Sequence, residues 1–315
     1  MSSPPISAVI CTYERYDLLP GAIESLQKQN RSAEEFEILV VDNSPDHSAS
    51  TAFAKRYRSI PNLRWIVERK SGLSNARNVG ARAATAPLVA YLDDDAVASP
   101  GWLTALESAF GEFGESAHAV GGRVDPIWGA SRPMWLPDDL LGSVSVVNWG
   151  GETRYAQPKE WVAGTNVAFR TDRLLAVGGF SVHLGRHRNG HSLLSNDETD
   201  VINRLNENSG RLVYAPDAIV GHMVTPERLT QPWFRRRTVW QATSEYMLDP
   251  KQAFELAPDG WGAVTEFFAH LPAKDRTPRG FYVEQSSPEM FRLQLSALYN
   301  FTLALLSGFN GFEDL

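Results

Sequence analysis

The first 113 residues alternate between short apolar, β-rich runs and amphipathic stretches, and this alternation narrows the folds that are open to the chain. The apolar runs predict strands and the amphipathic stretches predict helices, because hydrophobic side chains recur with the periods of those structures. The predicted strands are 6–11, 36–41, 63–67 and 88–92, and the predicted helices are 20–29, 48–57, 74–84 and 101–113. Strands that alternate with helices predict an α/β fold with a mostly parallel, Rossmann-like sheet that helices cover on both faces.

Beyond Gly122 the pattern is less regular. Residues 125–155 are rich in Trp, Pro and Gly and predict an irregular excursion with a short strand or two. The stretch 181–195 contains His183, His187 and His191 together with Gly185 and Gly190, and it predicts a mobile loop rather than a zinc site. The other predicted elements are a strand at 161–169, a short helix from Thr171, a helix at 197–208, strands at 212–215 and 218–222, and a mainly helical region from 229 onward.

Polar side chains follow three of the predicted strands. Thr12 comes after the first strand, Asp42 after the second, and Asp93, Asp94 and Asp95 after the fourth. Ligands of open α/β sheets bind outside the carboxyl ends of the strands, so these residues are candidates for a binding site. Three adjacent carboxylates require either solvent or a cation, because burying an unpaired charge is costly.

The composition excludes several classes of protein. A formal net charge of −7 argues against a nucleic-acid binder, because neutralising phosphates requires a basic field. The single cysteine, Cys11, leaves no intramolecular disulfide and suits a reducing compartment. We expect no signal peptide, and no window offers the ~18 apolar residues of a membrane span. The sequence therefore predicts a cytoplasmic protein, either free or peripheral to the inner face of the membrane.

A series of motifs resembles the nucleotide-sugar half of family 2 glycosyltransferases with the GT-A fold. The motifs are VICTYER at 9–15, VVDNS at 40–44, GLSNARN at 72–78, LDDD at 92–95, AGTN at 163–166 with Arg170, VGGF at 177–180 and NDETD at 196–200. Neither a dinucleotide-binding GxGxxG after the first strand nor a P-loop occurs, so phosphate would have to be held by a metal and arginine. The resemblance implies an inverting, metal-dependent transferase that uses a nucleoside diphosphate sugar, most often a UDP-sugar.

The resemblance also assigns the residues that bind the donor. Thr12, Tyr13 and Glu14 would line the pocket of the nucleotide base, and Asp42 would accept a hydrogen bond from the base. Asp42 could instead cap the turn that follows it, since Asp-Asn-Ser is also turn chemistry. Arg77 would reach the diphosphate or the base as a charge-assisted donor, or else be a solvated helix residue.

The three aspartates would occupy the family's Asp-x-Asp element, which binds a divalent cation together with the ribose and diphosphate. Carboxylates suit Mn²⁺ or Mg²⁺. Asp95 is the first choice of metal ligand, Asp93 contributes to the metal or lies toward the nucleotide, and Asp94 is left between the ribose and solvent. His222 would complete the metal site or would be an ordinary strand-end histidine.

Inverting transfer requires a carboxylate that deprotonates the acceptor hydroxyl. The resemblance places Glu198 where the family's base is expected, with Asp197 beside it and Asp200 as the backup. Asp197 also fits a helix-capping role, because acidic side chains favour the first turn of a helix. The assignment among the three acids stays open at this point.

The predicted organisation is a catalytic domain at 1–228, made of a nucleotide-sugar half (1–122) and an acceptor half (123–228), with a helical extension at 229–315. The expected acceptor is a glycan, a lipid carrier or a small metabolite. The apolar stretch 293–306 would support homodimerisation or peripheral contact with a membrane. The alternative functions are a non-catalytic nucleotide-sugar binder and a sugar-phosphate nucleotidyltransferase.

Overall fold

We describe a computed structural model of the chain, which covers residues 4–186, 192–255 and 260–308. His187 and His191 lie outside the described residues. The strands are β1 (Ile6–Thr12), β2 (Phe36–Asp42), β3 (Leu63–Val67), β4 (Leu88–Asp93), β5 (Ala96–Ala98), β6 (Ala117–Trp128), β7 (Arg154–Tyr155), β8 (Val167–Arg170) and β9 (Arg211–Val224). The helices are α1 (Leu19–Gln27), α2 (His47–Ala54), α3 (Leu73–Ala83), α4 (Trp102–Phe113), α5 (Thr171–Ala176), α6 (Asp197–Glu207), α7 (Gln231–Leu248), α8 (Pro250–Glu255), α9 (Gly260–His270) and α10 (Pro288–Gly308).

The strands of the described chain form one sheet in the order β3-β2-β1-β4-β8-β6-β9-β5, and β7 pairs with β9. The strands β3, β2, β1 and β4 are parallel neighbours. The other half of the sheet is added through antiparallel pairs, of β8 with β4 and of β6 with β8. The predicted α/β fold, with its parallel sheet flanked by helices, is confirmed.

The central strands are apolar on both faces. Every residue of β1 and β2 is buried, as expected for parallel strands that helices cover on both sides. Helices α1 and α4 pack on one face in a cluster that includes Leu19, Ile23, Trp102 and Leu106. Apolar side chains of α3 and α6 belong to a second cluster with alternate residues of the same strands. This framework holds the carboxyl ends of β1, β2 and β4 at one edge.

The two strands predicted at 212–215 and 218–222 form a single strand in the structure. Residues 212–215 and 218–222 belong to the continuous strand β9, which passes through Pro216. Proline lacks the N–H that a ladder requires, but Pro216 lies between the residues that pair with β7 and those that pair with β5. The missing donor therefore breaks neither pairing.

The predicted strand at 161–169 is shorter in the structure, where only its end belongs to β8 (Val167–Arg170). The preceding residues make a tight turn, in which the N–H of Asn166 donates to the carbonyl of Ala163 at 2.8 Å. Asn166 is fully buried and its amide donates to the carbonyls of Arg123 (2.8 Å) and Ala218 (2.7 Å). These bonds favour the turn over a longer strand.

The chain divides into two compact units. The described residues of Met1–Ile127, Ser145–Asn189 and Asp197–Met223 form unit 1, and those of Trp128–Val144, Gly190–Asn196 and Val224–Leu315 form unit 2. Unit 1 holds nearly all of the sheet, whereas unit 2 is mainly helical, with α10 packed against α7 and α9. The functional division at residue 228 stays a prediction. Among the helices of the described chain, none combines the length and the apolar character needed to cross a bilayer.

Candidate active site

The ends of β1 and β2 are joined by a buried hydrogen-bond network around Asp42. Thr12 is paired with Asp42 across the two strands. One carboxylate oxygen of the fully buried Asp42 accepts from the N–H (3.0 Å) and the hydroxyl (2.5 Å) of Ser44, and the other accepts from the Tyr16 hydroxyl at 2.8 Å. The predicted turn-capping role of Asp42 is therefore real, and a contact with a nucleotide base stays a prediction.

The loop after β1 carries Tyr13 and Glu14, the other predicted base-pocket residues. Tyr13 is half-buried and Glu14 is exposed. Glu14 has a left-handed backbone (φ 56°), and its N–H donates to the Ser44 hydroxyl at 2.8 Å. The ring of Tyr16 stacks on Phe53 of α2 with 4.7 Å between the centroids. Two loops that are distant in sequence thus form one wall beside Asp42.

The three adjacent aspartates have different surroundings. The side chain of Asp93 is 31% exposed, whereas those of Asp94 and Asp95 are 6% and 2% exposed. Asp94 accepts from the Thr12 hydroxyl at 2.8 Å and from Arg15 at 3.1 Å. Burial raises the pKa of Asp94 to about 7, although Arg15 acts in the opposite direction. The buried position of Asp94 corrects the expectation that it could face solvent.

Asp93, Asp95 and His222 offer ligand atoms that all lie within 4.8 Å of one another. His222 is brought there by strand pairing, because it lies opposite Ala96 where β5 meets β9. Its Nε2 atom is 3.4 Å from Oδ1 of Asp95, and the imidazole is 3% exposed. Two carboxylates and one imidazole suit Mn²⁺ or Mg²⁺ with water and phosphate as the other ligands. The residues present therefore fit the divalent cation that the sequence predicted.

Arg77 of α3 connects the metal-site residues with the acidic start of α6. Its guanidinium donates to Asp197 at 2.7 Å and to Asp93 at 3.4 Å, and it lies 5.4 Å from the centroid of the Phe180 ring. Arg77 is only 3% exposed, so the alternative of a solvated helix residue is wrong. Such a buried guanidinium is tolerated because carboxylates and aromatic faces surround it.

Asp197 and Glu198 are neighbours in sequence, but their pKa values are shifted in opposite directions. Burial alone would raise the pKa of Asp197, but Arg77 beside it holds that pKa below the usual range. Burial and the charge of Asp197 raise the pKa of Glu198 to about 8. The Glu198 carboxylate stays 17% exposed and lies 3.9 Å from Arg77. Asp197 is thus paired with Arg77, whereas the Glu198 carboxylate remains partly exposed.

Asp200 lies in a separate ion pair. Arg204, one turn further along α6, donates to Asp200 at 2.5 Å and 3.2 Å and also to the carbonyl of Gly179 at 2.7 Å. This arrangement ties α6 to the turn that follows α5. The structure thus brings Asp197 and Glu198 to the cluster around Arg77 and places Asp200 elsewhere on the helix.

Sequence reasoning missed Arg15, Tyr16 and Thr165 as site residues. Arg15 contacts two of the three aspartates, Tyr16 contacts Asp42, and the Thr165 hydroxyl accepts from the N–H of Asp93 at 3.3 Å. Arg15 and Thr165 lie within the motifs at 9–15 and 163–166, which was a usable signal. Gly164 lies in the same motif, and the structure explains why it is a glycine: a Cβ there would lie 2.3 Å from Nη2 of Arg77.

The chain is similar to known proteins in sequence and in fold. Two curated relatives match most of the chain. A glucosyl-dolichyl phosphate glucuronosyltransferase of Haloferax volcanii is 29% identical over 311 residues, which cover 96% of this chain and 95% of that protein. The succinoglycan biosynthesis protein ExoM of Rhizobium meliloti is 26% identical over 231 residues, covering 72% of this chain and 70% of that protein.

Solved structures show the same fold. The mannosyltransferase PcManGT of Pyrobaculum calidifontis, in complex with GDP-Man and Mn²⁺, has a TM-score of 0.60 at 20% identity, covering 98% of this chain and 88% of that one. S. aureus TarS 1–349 in complex with UDP has a TM-score of 0.55 at 16% identity, covering 98% and 93%. A family model for glycosyl transferase family 2 matches residues 7–166, just over half of the chain. The chain therefore belongs to glycosyl transferase family 2 and is a glycosyltransferase with the GT-A fold.

Proposed function

We propose that this glycosyltransferase moves a sugar, with inversion, from a nucleoside diphosphate sugar to an acceptor hydroxyl, and that Glu198 is the general base. The observation that carries the proposal is a connected series of charged side chains within unit 1. The candidate metal ligands Asp93, Asp95 and His222 lie at one end of this series. Arg77 connects Asp93 with Asp197 at the start of α6, which is the other end. A donor held by the first group would therefore lie close to the carboxylate of the second.

Glu198 has the properties that the reaction requires. The acceptor hydroxyl would donate its proton to Glu198 while its oxygen forms a bond to the anomeric carbon, and the bond from that carbon to the diphosphate oxygen would break. A base is most effective when its pKa is near the working pH, and the pKa of Glu198 is raised to about 8. Asp197 is held by Arg77 and would orient the helix start instead of taking the proton.

The donor would be held at the ends of the parallel strands. Asp42, Thr12, Tyr13 and Glu14 would surround the base, and Asp93 would face the ribose and diphosphate. Asp94 would hold Thr12 and Arg15 beside the donor. A divalent cation held by Asp95, Asp93 and His222 would supply Lewis-acid stabilisation of the diphosphate leaving group. UDP is our first choice of nucleotide; one structural neighbour was solved with UDP and another with GDP-Man and Mn²⁺.

The acceptor that we favour is a sugar on a lipid phosphate carrier. The support is the relative from Haloferax volcanii, which is named for glucosyl-dolichyl phosphate and which matches 96% of this chain. With such an acceptor the protein would work at the inner face of a membrane as a peripheral enzyme. A free glycan or a small metabolite is the alternative, and transfer assays with water-soluble acceptors would distinguish the two.

The test of the donor site is a thermal-shift panel of UDP, GDP, TDP and CDP, each with Mn²⁺, with Mg²⁺ and with EDTA. One nucleotide should stabilise the protein only when a divalent cation is present, by about 2.7 kcal/mol at a concentration of 100 times its dissociation constant. EDTA should abolish this shift. If none of the four nucleotides raised the melting temperature with either metal, the proposed donor class would be wrong.

A further inference from the structure

Arg15 contacts two of the three adjacent aspartates with a single guanidinium. Its Nη1 atom lies 3.1 Å from Oδ1 of Asp94, and its Nη2 atom lies 2.9 Å from Oδ2 of Asp95. The Arg15 side chain is 30% exposed, whereas the two carboxylates are 6% and 2% exposed. Arg15 can therefore move toward solvent without opening the core, but the two aspartates cannot.

The two carboxylates need a cation in this position. They are adjacent in sequence and buried, so their mutual repulsion is only weakly screened. Asp95 also belongs to the predicted metal site, through the oxygen that lies 3.4 Å from His222. A divalent cation and the Arg15 guanidinium would then compete for the negative charge of one carboxylate, and each would lower the affinity of Asp95 for the other.

A nucleoside diphosphate would change this competition. Its phosphates are anionic acceptors that suit a planar guanidinium. The backbone of Arg15 is fixed, because its carbonyl accepts the N–H groups of Leu18 and Leu19 at 3.1 Å. Its side chain is thus tethered beside the site and free to turn from a carboxylate to a phosphate.

We propose that Arg15 makes metal binding depend on the donor. In the metal-free protein Arg15 pairs with Asp94 and Asp95 and weakens the binding of a divalent cation alone. When a nucleoside diphosphate binds, Arg15 turns to the phosphates and Asp95 is released to the cation. This inference rests on the proposed donor class, and it assigns to Arg15 a positioning role that the metal ligands do not supply.

The experiment measures Mn²⁺ affinity by electron paramagnetic resonance of free Mn²⁺, with and without the nucleoside diphosphate that stabilises the wild type. For the wild type we expect the nucleotide to tighten Mn²⁺ binding about tenfold. Arg15→Gln should tighten binding of Mn²⁺ alone about tenfold and lose most of the nucleotide effect. Arg15→Lys keeps the charge and should stay within about threefold of the wild type for Mn²⁺ alone.

The matched control is Arg31→Gln. Arg31 also pairs with a carboxylate, Glu107, but on α4; its replacement should leave both Mn²⁺ affinities unchanged. If Arg15→Gln does not fold, the Arg15→Gln change is made in an Asp94→Asn background, and the double variant is compared with Asp94→Asn alone. Asp94→Asn removes part of the repulsion between the two carboxylates that Arg15 would otherwise offset.

Unchanged or weaker binding of Mn²⁺ alone in Arg15→Gln would overturn the inference, because a merely structural role predicts loss and not gain. Failure of the proposed function looks different. If the wild type bound no nucleotide, the donor class would be refuted, while the comparison in Mn²⁺ alone would still judge the competition between Arg15 and the cation.

Discussion

At the residue scale, adjacent acidic residues of the site differ in their contacts and in their pKa values. Asp197 is held ionised by Arg77, whereas burial and the neighbouring charge of Asp197 keep the pKa of Glu198 high. Asp94 is fixed by Thr12 and Arg15, and the Asp95 carboxylate also faces His222. In the proposed function, Asp197 and Asp94 order the site, and Glu198 and Asp95 act on the ligands.

The raised pKa of Glu198 predicts a pH dependence of the rate. A base must be deprotonated to act, so kcat/KM should rise with pH up to about 8, the pKa of Glu198 in the free protein, and then level off. Glu198→Gln should lower kcat by about 10²–10⁴-fold and leave donor affinity intact. The measurements are the pH profile of initial rates and the binding isotherm of the nucleotide.

The control on the same helix is Glu207→Gln, since Glu207 is exposed at the end of α6. Its turnover should match that of the wild type. Unchanged turnover in Glu198→Gln would move the role of base to Asp197 or Asp200. Loss of donor binding in that variant would show that Glu198 holds the donor and would contradict its assignment as the base.

At the element scale, the turn before β8 must leave room for the side chain of Arg77. Gly164 lies against the guanidinium of Arg77, with Nη2 2.3 Å from the place of a Cβ. The next residue, Thr165, contacts the N–H of Asp93. The turn therefore sets the positions of Arg77 and the end of β4 together, which a strand through 161–169 would not do.

Gly164→Ala should displace Arg77 and weaken its ion pairs with Asp93 and Asp197. We expect a loss of about 1–3 kcal/mol in the free energy of unfolding, as is usual for overpacking a buried site, and a lower kcat. Gly151→Ala is the matched control, because nothing lies within 4 Å of a Cβ there. Urea unfolding and initial rates measure both effects; equal stability of the two variants would contradict the proposed clearance.

At the scale of the whole molecule, buried carboxylates link strands that are distant in sequence. Glu37 of β2 accepts from the Ser7 hydroxyl (2.7 Å) and from the N–H (2.6 Å) and hydroxyl (2.7 Å) of Thr85, and it lies 3.1 Å from Arg64. Burial alone would raise the pKa of Glu37, but these hydrogen bonds outweigh it and hold the pKa below the usual range. The carboxylate thus joins β1, β2, β3 and the loop before β4.

Acid should therefore weaken the fold through Glu37. Because its pKa is lower in the folded than in the unfolded chain, its contribution is present above the unfolded value near pH 4.5 and is lost as the pH falls through the folded value. Glu37→Gln should unfold more easily at pH 7 and show a smaller drop between pH 6 and pH 3 than the wild type. Glu34→Gln, at an exposed position, is the control. If the urea midpoint changed with pH by the same amount in the wild type and both variants, Glu37 would not be a source of the acid sensitivity.

The parallel half of the sheet and the edge where the site lies follow from the amino-acid pattern alone. The period of the apolar residues in β1 to β4 is local information, and parallel strands that alternate with helices must place their carboxyl ends together. Thr12, Asp42 and the three aspartates could therefore be assigned to one edge from the sequence. The order of the motifs also identified the family. Most of the motifs end a strand or begin a helix, whereas AGTN precedes β8 and VGGF follows α5.

The pairing of the charged side chains depends on the folded chain. Arg15 meets Asp94 across 79 positions of sequence, and Arg77 meets Asp197 across 120. The antiparallel pairing of β5 with β9 brought His222 to Asp95. Such contacts depend on chain packing and on glycines that leave room for a side chain, not on local propensity. The sequence therefore located the acids, and the fold determined which side chains each of them contacts.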